Sequence, residues 1–173
     1  MSTSFICETC GQQHSGLPID YSFGLPDEVF ELEYLARYNR SRSNNDLCTL
    51  DEAKYFVRGV IPIPFQDSDE EYCWGVWVQV SREDHDKYVR GYDDDLSAEP
   101  SFPGTLANDI SGHGGTLGLP VIARFGAPGK RPNYFLESSS AHPLARDQHQ
   151  GINATRHHEM LEAVGHFQRQ SAA

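Results

Sequence analysis

The strongest periodic signal in the chain is a strict alternation from Tyr72 to Val80. Tyr72, Trp74, Val76, Val78 and Val80 share one face; Cys73, Gly75, Trp77 and Gln79 share the other. That pattern predicts a strand with one wholly apolar face, and Trp77 predicts that its second face is also partly covered. Residues 55–65 read as a second strand, with Pro62 and Pro64 alternating with Ile61, Ile63 and Phe65. Proline has no N–H to give to a ladder, so these two mark an edge or the end of pairing. A polar turn over 66–71 joins the runs into an antiparallel hairpin. Further strands are predicted at 105–110, 116–125 and 131–137, with an acidic, proline-broken surface loop over 92–103.

Helical spacing takes over elsewhere. Pro26 suits a first helical position, Asp27 and Glu28 suit the positive end of the dipole, and Val29, Leu32, Leu35 and Ala36 recur as one stripe. Ser81, with an acid three residues on, predicts a helix running to Arg90 and stopping at Gly91. Pro143 opens a short helix closed by Gly151, and Asn153 or Thr155 caps a last one with Met160, Leu161, Val164 and Phe167 as its stripe. The whole predicts an α+β fold: a mainly antiparallel sheet of about five strands, flanking helices and a zinc-knuckle-like turn at the N-terminus. One domain is expected over 1–173. It has a metal-knuckle segment and helix over 1–50, the sheet over 51–140 and C-terminal helices over 141–170.

Composition narrows the function classes. The chain has 173 residues, 38% hydrophobic and 11% aromatic, enough for one core. Its 25 acids against 14 bases give a formal charge of −11. That disfavours nucleic acid and anionic lipid as partners and favours a basic one. No run approaches a membrane span and the first six residues lack an export signal, so a cytoplasmic location is expected. Arg37, Arg40 and Arg42 form a basic cluster read as a solvated face among acids. Asp93, Asp94 and Asp95 read as a solvated charge run, without the spacing of a calcium loop.

The one spacing that points to a definite chemistry is Cys7-x-x-Cys10-Gly11-x-x-His14. Two thiolates across a tight turn can reach one tetrahedral ion, and Gly11 suits the turn. The chemistry favoured is structural zinc; a redox pair and two idle surface cysteines are the alternatives. His14 can add a nitrogen, and of Cys48 and Cys73 the former is preferred as a further ligand because Cys73 lies in an apolar run. The loop 111–115 is glycine-rich but matches neither a dinucleotide fingerprint nor a P-loop. His158-Glu159 lacks the second histidine of a zinc-protease helix, and no hydrolase elbow occurs. A Cys–His pair between Cys48 or Cys73 and His113 or His142 stays open.

The ordered strings Cys7-x-x-Cys10-Gly11-x-x-His14, Leu17-Pro18, Asp46-Leu47-Cys48, Tyr55-Phe56-Val57-Arg58-Gly59, Trp74-Gly75-Val76-Trp77-Val78, Thr116-Leu117-Gly118-Leu119 and His142-Pro143-Leu144-Ala145 with Gln148 and Gly151-Ile152 resemble the DUF2199 family of uncharacterised bacterial proteins. The resemblance covers about residues 5–168. It implies a bacterial, single-domain protein, favours Cys7, Cys10, His14 and Cys48 as the zinc ligands, and carries over no catalytic residue. The leading expectation is a zinc-stabilised, non-enzymatic binding or interaction module. Its rivals are an enzyme with a site near His113 and His142, and an acidic inhibitor or immunity-type protein that covers a basic partner.

Overall fold

The computed structural model describes residues 5–6, 11, 13–14 and 16–165. In chain order the elements are β1 (Phe5–Ile6), β2 (Gln13–His14), β3 (Asp20–Ser22), α1 (Asp27–Phe30), α2 (Tyr34–Arg40), β4 (Ser41–Ser43) and β5 (Leu47–Leu50). Then come β6 (Lys54–Pro64), β7 (Glu71–Val80), α3 (Arg82–Arg90), β8 (Phe102–Leu106), β9 (Pro120–Arg124), β10 (Asn133–Phe135), α4 (Pro143–Gln150) and α5 (Ala154–Ala163). The long β6–β7 hairpin is the spine, paired from Tyr55 opposite Val80 to Pro64 opposite Glu71.

The sheet does not stay open. β8 pairs with β7, β9 with β8 and β10 with β9, all antiparallel, and β10 then returns to β6 in parallel. Five strands therefore close into a barrel, so the expected antiparallel sheet is right in outline and the one parallel seam seals it. Closure depends on Gly59. A Cβ there would collide with the Tyr134 ring and the Pro132 carbonyl, so only glycine lets β10 come this close. β5 and β4 extend the sheet from the first half of β6, and β3 adds in parallel to the first half of β7.

The two prolines of β6 are explained by this division. Val60 donates its N–H to Pro132 O at 3.0 Å, so the same edge carries positions 62 and 64. Beyond Val60 that edge has no strand, and prolines leave no donor stranded there. Their carbonyls accept from Gln148 Nε2 at 3.4 Å and from Ile152 N at 2.9 Å, which fastens α4 and its exit to the barrel.

The alternation of β7 divides two cores. Tyr72, Trp74, Val76, Val78 and Val80 fill the barrel with Ile61, Ile63, Leu106, Val121 and Tyr134. Trp77 faces outward but is fully buried, in a second cluster with Val29, Cys48, Leu50 and Phe56. Ser81 caps α3 as its sequence predicts, accepting from Asp84 N, and Asn153 caps α5.

Several expected boundaries move. The strand expected over 105–110 is β8, which starts earlier, inside the stretch expected to be loop, and ends at Leu106. It ends because the Asn108 side chain takes over as acceptor for Trp77 N–H at 2.7 Å. Residues 116–119 are a turn rather than the start of β9, with Gly118 at φ 82°. The single helix expected from Pro26 is broken into α1 and α2. Glu33 is extended there, and the Arg37 guanidinium takes the carbonyls of Val29, Phe30 and Leu32 that a continuous helix would use. The break rotates Leu35 out of the stripe, and it is 69% exposed.

Candidate functional site

Three places carry chemistry, and they differ in how completely their polar atoms are used. The first is the cysteine site expected at the front end. β1 and β2 form a two-stranded antiparallel hairpin with Phe5 opposite His14, and Gly11 between them takes φ 70°. Cys7, Cys10 and the His14 side chain lie outside the described residues. Cys48 is described: it is fully buried in the second core, and its Sγ lies 3.9 Å from the Thr49 carbonyl. Burial, and then the charge of Glu28, push its thiol up to about 11, which favours S–H over the thiolate a metal needs. Cys73 is half-buried on β7 beside β3, its thiol also raised by burial. Among the described residues no three His, Cys, Asp or Glu side chains gather as metal ligands would.

The second place is around His113, where the enzymatic alternative was expected. Glycines of the 111–115 turn, Gly112 at φ 80° and Gly114 at φ 68°, swing His113 inward. Its Nε2 meets Asp147 Oδ2 at 3.1 Å, its Nδ1 faces Ser111 O at 3.2 Å, and its ring stands edge-on to Trp74. Arg156 donates to the same Asp147 oxygen from Nε at 3.0 Å and Nη2 at 2.8 Å. So a histidine does meet a carboxylate, but the His113 side chain is 0% exposed and no sulfur is among its partners. Burial alone would raise the Asp147 carboxyl; the hydrogen bonds and charges of His113 and Arg156 outweigh it and hold the group below its ordinary 3.8. His142 accepts from Leu144 N at Nδ1, capping α4, and donates to Gly115 O from Nε2 at 2.9 Å. These contacts staple the 111–115 loop to α4 and α5.

The third place is a pocket of about 620 Å³ beside the seam where β10 meets β6. Its walls are Asn45 and Asp46 from the turn before β5, Val60 from β6, Asn133 from β10 and Tyr92 from the end of α3. The floor of the opening is the loop joining β9 to β10, from Gly126 to Arg131. Local sequence sets each part. Asn44 Oδ1 accepts from Asp46 N and Leu47 N, a side-chain turn that presents Asn45 O and the Asp46 carboxylate. Gly129 at φ 70° donates its N–H to Tyr92 O, tying the loop to α3, and Lys130 N returns to Ala127 O.

The charges here are not balanced. Arg131 Nε pairs with Asp46 Oδ1 at 2.8 Å, and its Nη2 reaches Asn45 O at 3.3 Å. Arg58 approaches the same carbonyl through Nη1 at 3.3 Å and lies over the Trp77 ring. Lys130 makes no ion pair among the described residues, whereas Asp46 is the one carboxylate in the wall. Two buried donors beside this cluster lack a hydrogen-bond partner: Arg58 Nε and the hydroxyl of Tyr88, a residue only 2% exposed. Burial first, then the charge of Arg131, lower the Arg58 pKa. Tyr88 is raised by burial and by Asp46, with Arg131 opposing. Sequence reading missed this site because Asp46 and Arg131 are 85 positions apart. The available signal was an arginine inside an apolar strand, at Arg58.

A second concavity lies on the outer face of β8, β9 and β10, against Pro103, Pro120, Ile122 and Phe135. Of its polar groups, Arg124 stacks on Phe135 and His149 Nε2 donates to Leu136 O at 2.7 Å. The basic cluster is engaged. Arg40 makes a two-point pair with Asp51, and Arg42 donates to the carbonyls of Tyr38 and Ser41. No described helix is long and apolar enough to cross a membrane.

Comparison with known proteins gives one match. A family model described as "Uncharacterized protein conserved in bacteria (DUF2199)" matches residues 6–152. No curated protein and no solved structure matches.

Proposed function

The chain belongs to DUF2199, a family of uncharacterized bacterial proteins, and from that starting point we propose that it is a binding module whose ligand site is the pocket at the β6–β10 seam. The observation that carries the reading is a set of polar side chains at one cavity whose charges and hydrogen bonds are incomplete. Lys130 makes no ion pair among the described residues, and Arg58 Nε and the Tyr88 hydroxyl, buried behind the wall that Asp46 and Arg131 form, lack partners, as do the Tyr72 hydroxyl, Trp74 Nε1 and His85 Nε2 elsewhere. Native proteins rarely leave such atoms unmet, and a bound ligand is one of the few reasons to do so. The test is a screen of small molecules against isotope-labelled full-length protein. Hits whose amide shifts cluster on residues 45–46, 60, 92 and 126–133 support the reading. Hits that map elsewhere, or none from a diverse set, overturn it.

A structural zinc at the front end is a second, independent part of the proposal. It is supported by the Cys7-x-x-Cys10 spacing and by the hairpin pairing on either side of it. Cys7, Cys10 and His14 are the ligands with a claim. Cys48 would first have to give up its apolar surroundings and its proton. Elemental analysis of the purified protein, with each of the four residues changed singly, decides it. About one zinc per chain, lost in Cys7→Ser and Cys10→Ser, is expected; a metal-free protein with unchanged stability removes this part alone.

A further inference from the structure

The composition of the pocket says more than that something binds there. The chain is strongly acidic, at −11 overall, yet this cavity is lined by Lys130 and Arg131 and a single carboxylate, Asp46, with Arg58 behind the wall on Asn45 O. The lining cations are of the kind that recognises an oxyanion: one guanidinium, with a planar donor fork, and one ammonium with no ion-pair partner among the described residues. Two glycines, Gly126 and Gly129, lie in the loop beneath the opening, where a small residue admits an anion close to the backbone. Tyr92 and Val60 also line the cavity, an aromatic and an aliphatic side chain for an organic group to lie against.

We propose that this pocket binds a small organic monophosphate, its phosphoryl oxygens held by Lys130 and Arg131 and its organic part lying against Tyr92 and Val60. The inference rests on the pocket being the ligand site and adds the chemical class. In the bound state the phosphoryl group shares Arg131 with Asp46 and gives Lys130 the ion pair it lacks among the described residues. Size and charge both limit the ligand. A cavity of about 620 Å³ holds a metabolite rather than a polymer. The exposed run Asp93–Asp94–Asp95, directly after Tyr92, repels a polyanion. Nucleic acid is therefore a poor occupant even though its phosphates carry the same chemistry.

The experiment is calorimetric titration of the full-length protein at low ionic strength with matched pairs: adenosine monophosphate against adenosine, and glycerol phosphate against glycerol. Citrate serves as a carboxylate control. The phosphorylated member of at least one pair is expected to bind ten times tighter than its partner or better, and to weaken as salt rises. Lys130→Ala is expected to weaken that binding about tenfold, the usual effect of losing one charge-assisted contact. Arg131→Lys keeps the charge, loses the fork and weakens binding comparably. Lys130 is exposed and unpaired, so its variant folds and keeps the test decisive if Arg131→Lys does not.

The proposal is overturned if no phosphate binds at millimolar concentration, or if Lys130→Ala binds like the parent. Equal binding of citrate overturns the phosphate assignment in favour of carboxylates. The amide-shift map separates the two failures. Neutral ligands that map to this pocket sink the phosphate class and spare the site; phosphate that maps elsewhere sinks the site.

Discussion

His113, Asp147 and Arg156 form one charged cluster and Asp46, Arg58, Lys130 and Arg131 another, and the same barrel finishes them differently. In the first, one carboxylate oxygen collects three donors, and Arg156 also reaches Glu159 Oε2 and Gly112 O at 3.4 Å. His113 is sealed from water. In the second, Arg131 alone pairs with the wall carboxylate, Lys130 makes no ion pair among the described residues, and Arg58 Nε behind the wall has no partner. Charge in a fold does not by itself mark a functional site. A cluster whose members satisfy each other holds elements together, and one left incomplete beside a cavity has capacity for something else.

The largest effect expected from breaking this contrast is at Asp147. Asp147→Ala strips the shared acceptor from a buried histidine and a half-buried arginine, and about 3–5 kcal/mol of stability goes with it. Thermal unfolding should show this as a fall in Tm of roughly 10 °C. The acid side gives a second reading. Because Asp147 is held below its ordinary 3.8 when folded, its contribution is complete above the unfolded value and disappears as pH falls through the folded one. Stability measured from pH 5 down to pH 2 should therefore fall less steeply in Asp147→Asn than in the parent. Equal slopes would mean that the network does not hold the carboxylate charged.

The next effect is at the seam. Gly59→Ala drives a methyl group into the Tyr134 ring and the Pro132 carbonyl. Overpacking of this kind costs about 1–3 kcal/mol, and here it also parts β6 from β10. Denaturant unfolding measures the cost. Loss of amide-exchange protection at Val60, whose N–H crosses the seam to Pro132, would locate it. Protection unchanged at Val60 would mean the barrel closes without that glycine.

What was legible beforehand follows from how local each signal is. The β6–β7 hairpin, the Ser81 cap and the Pro143 and Asn153 helix starts are written in neighbouring residues, and they fell where the pattern put them. Barrel closure is not local. It depends on a parallel contact registered at a single residue pair, Asn133 with Val60, and on the missing side chain of Gly59, and neither has a periodicity. The end of β8 was misjudged because a side chain, Asn108, does what backbone would have done. The α1–α2 break was misjudged because Arg37, read as part of a solvated face, is spent on carbonyls. The histidine and the glycine loop were picked out by residue type, but their role as a staple lay in Asp147 and Arg156, ordinary helix residues in the sequence. The pocket escaped for the same reason.

The smallest stability effects should lie at the pocket, and they sharpen the comparison most. Arg58→Met keeps the apolar stem against Trp77 and removes the unpartnered Nε, so stability should shift by no more than about 1 kcal/mol in either direction. Lys130→Ala should shift it by no more than about 0.5 kcal/mol, since the ammonium is exposed and makes no ion pair among the described residues. Both are read from urea midpoints at constant slope. A protein that unfolds like the parent after losing Lys130 from the cavity and Arg58 from behind its wall does not need them for its fold. If instead Arg58→Met proves as damaging as Asp147→Ala, the two clusters are the same kind of object, and the cations at the pocket are structural after all.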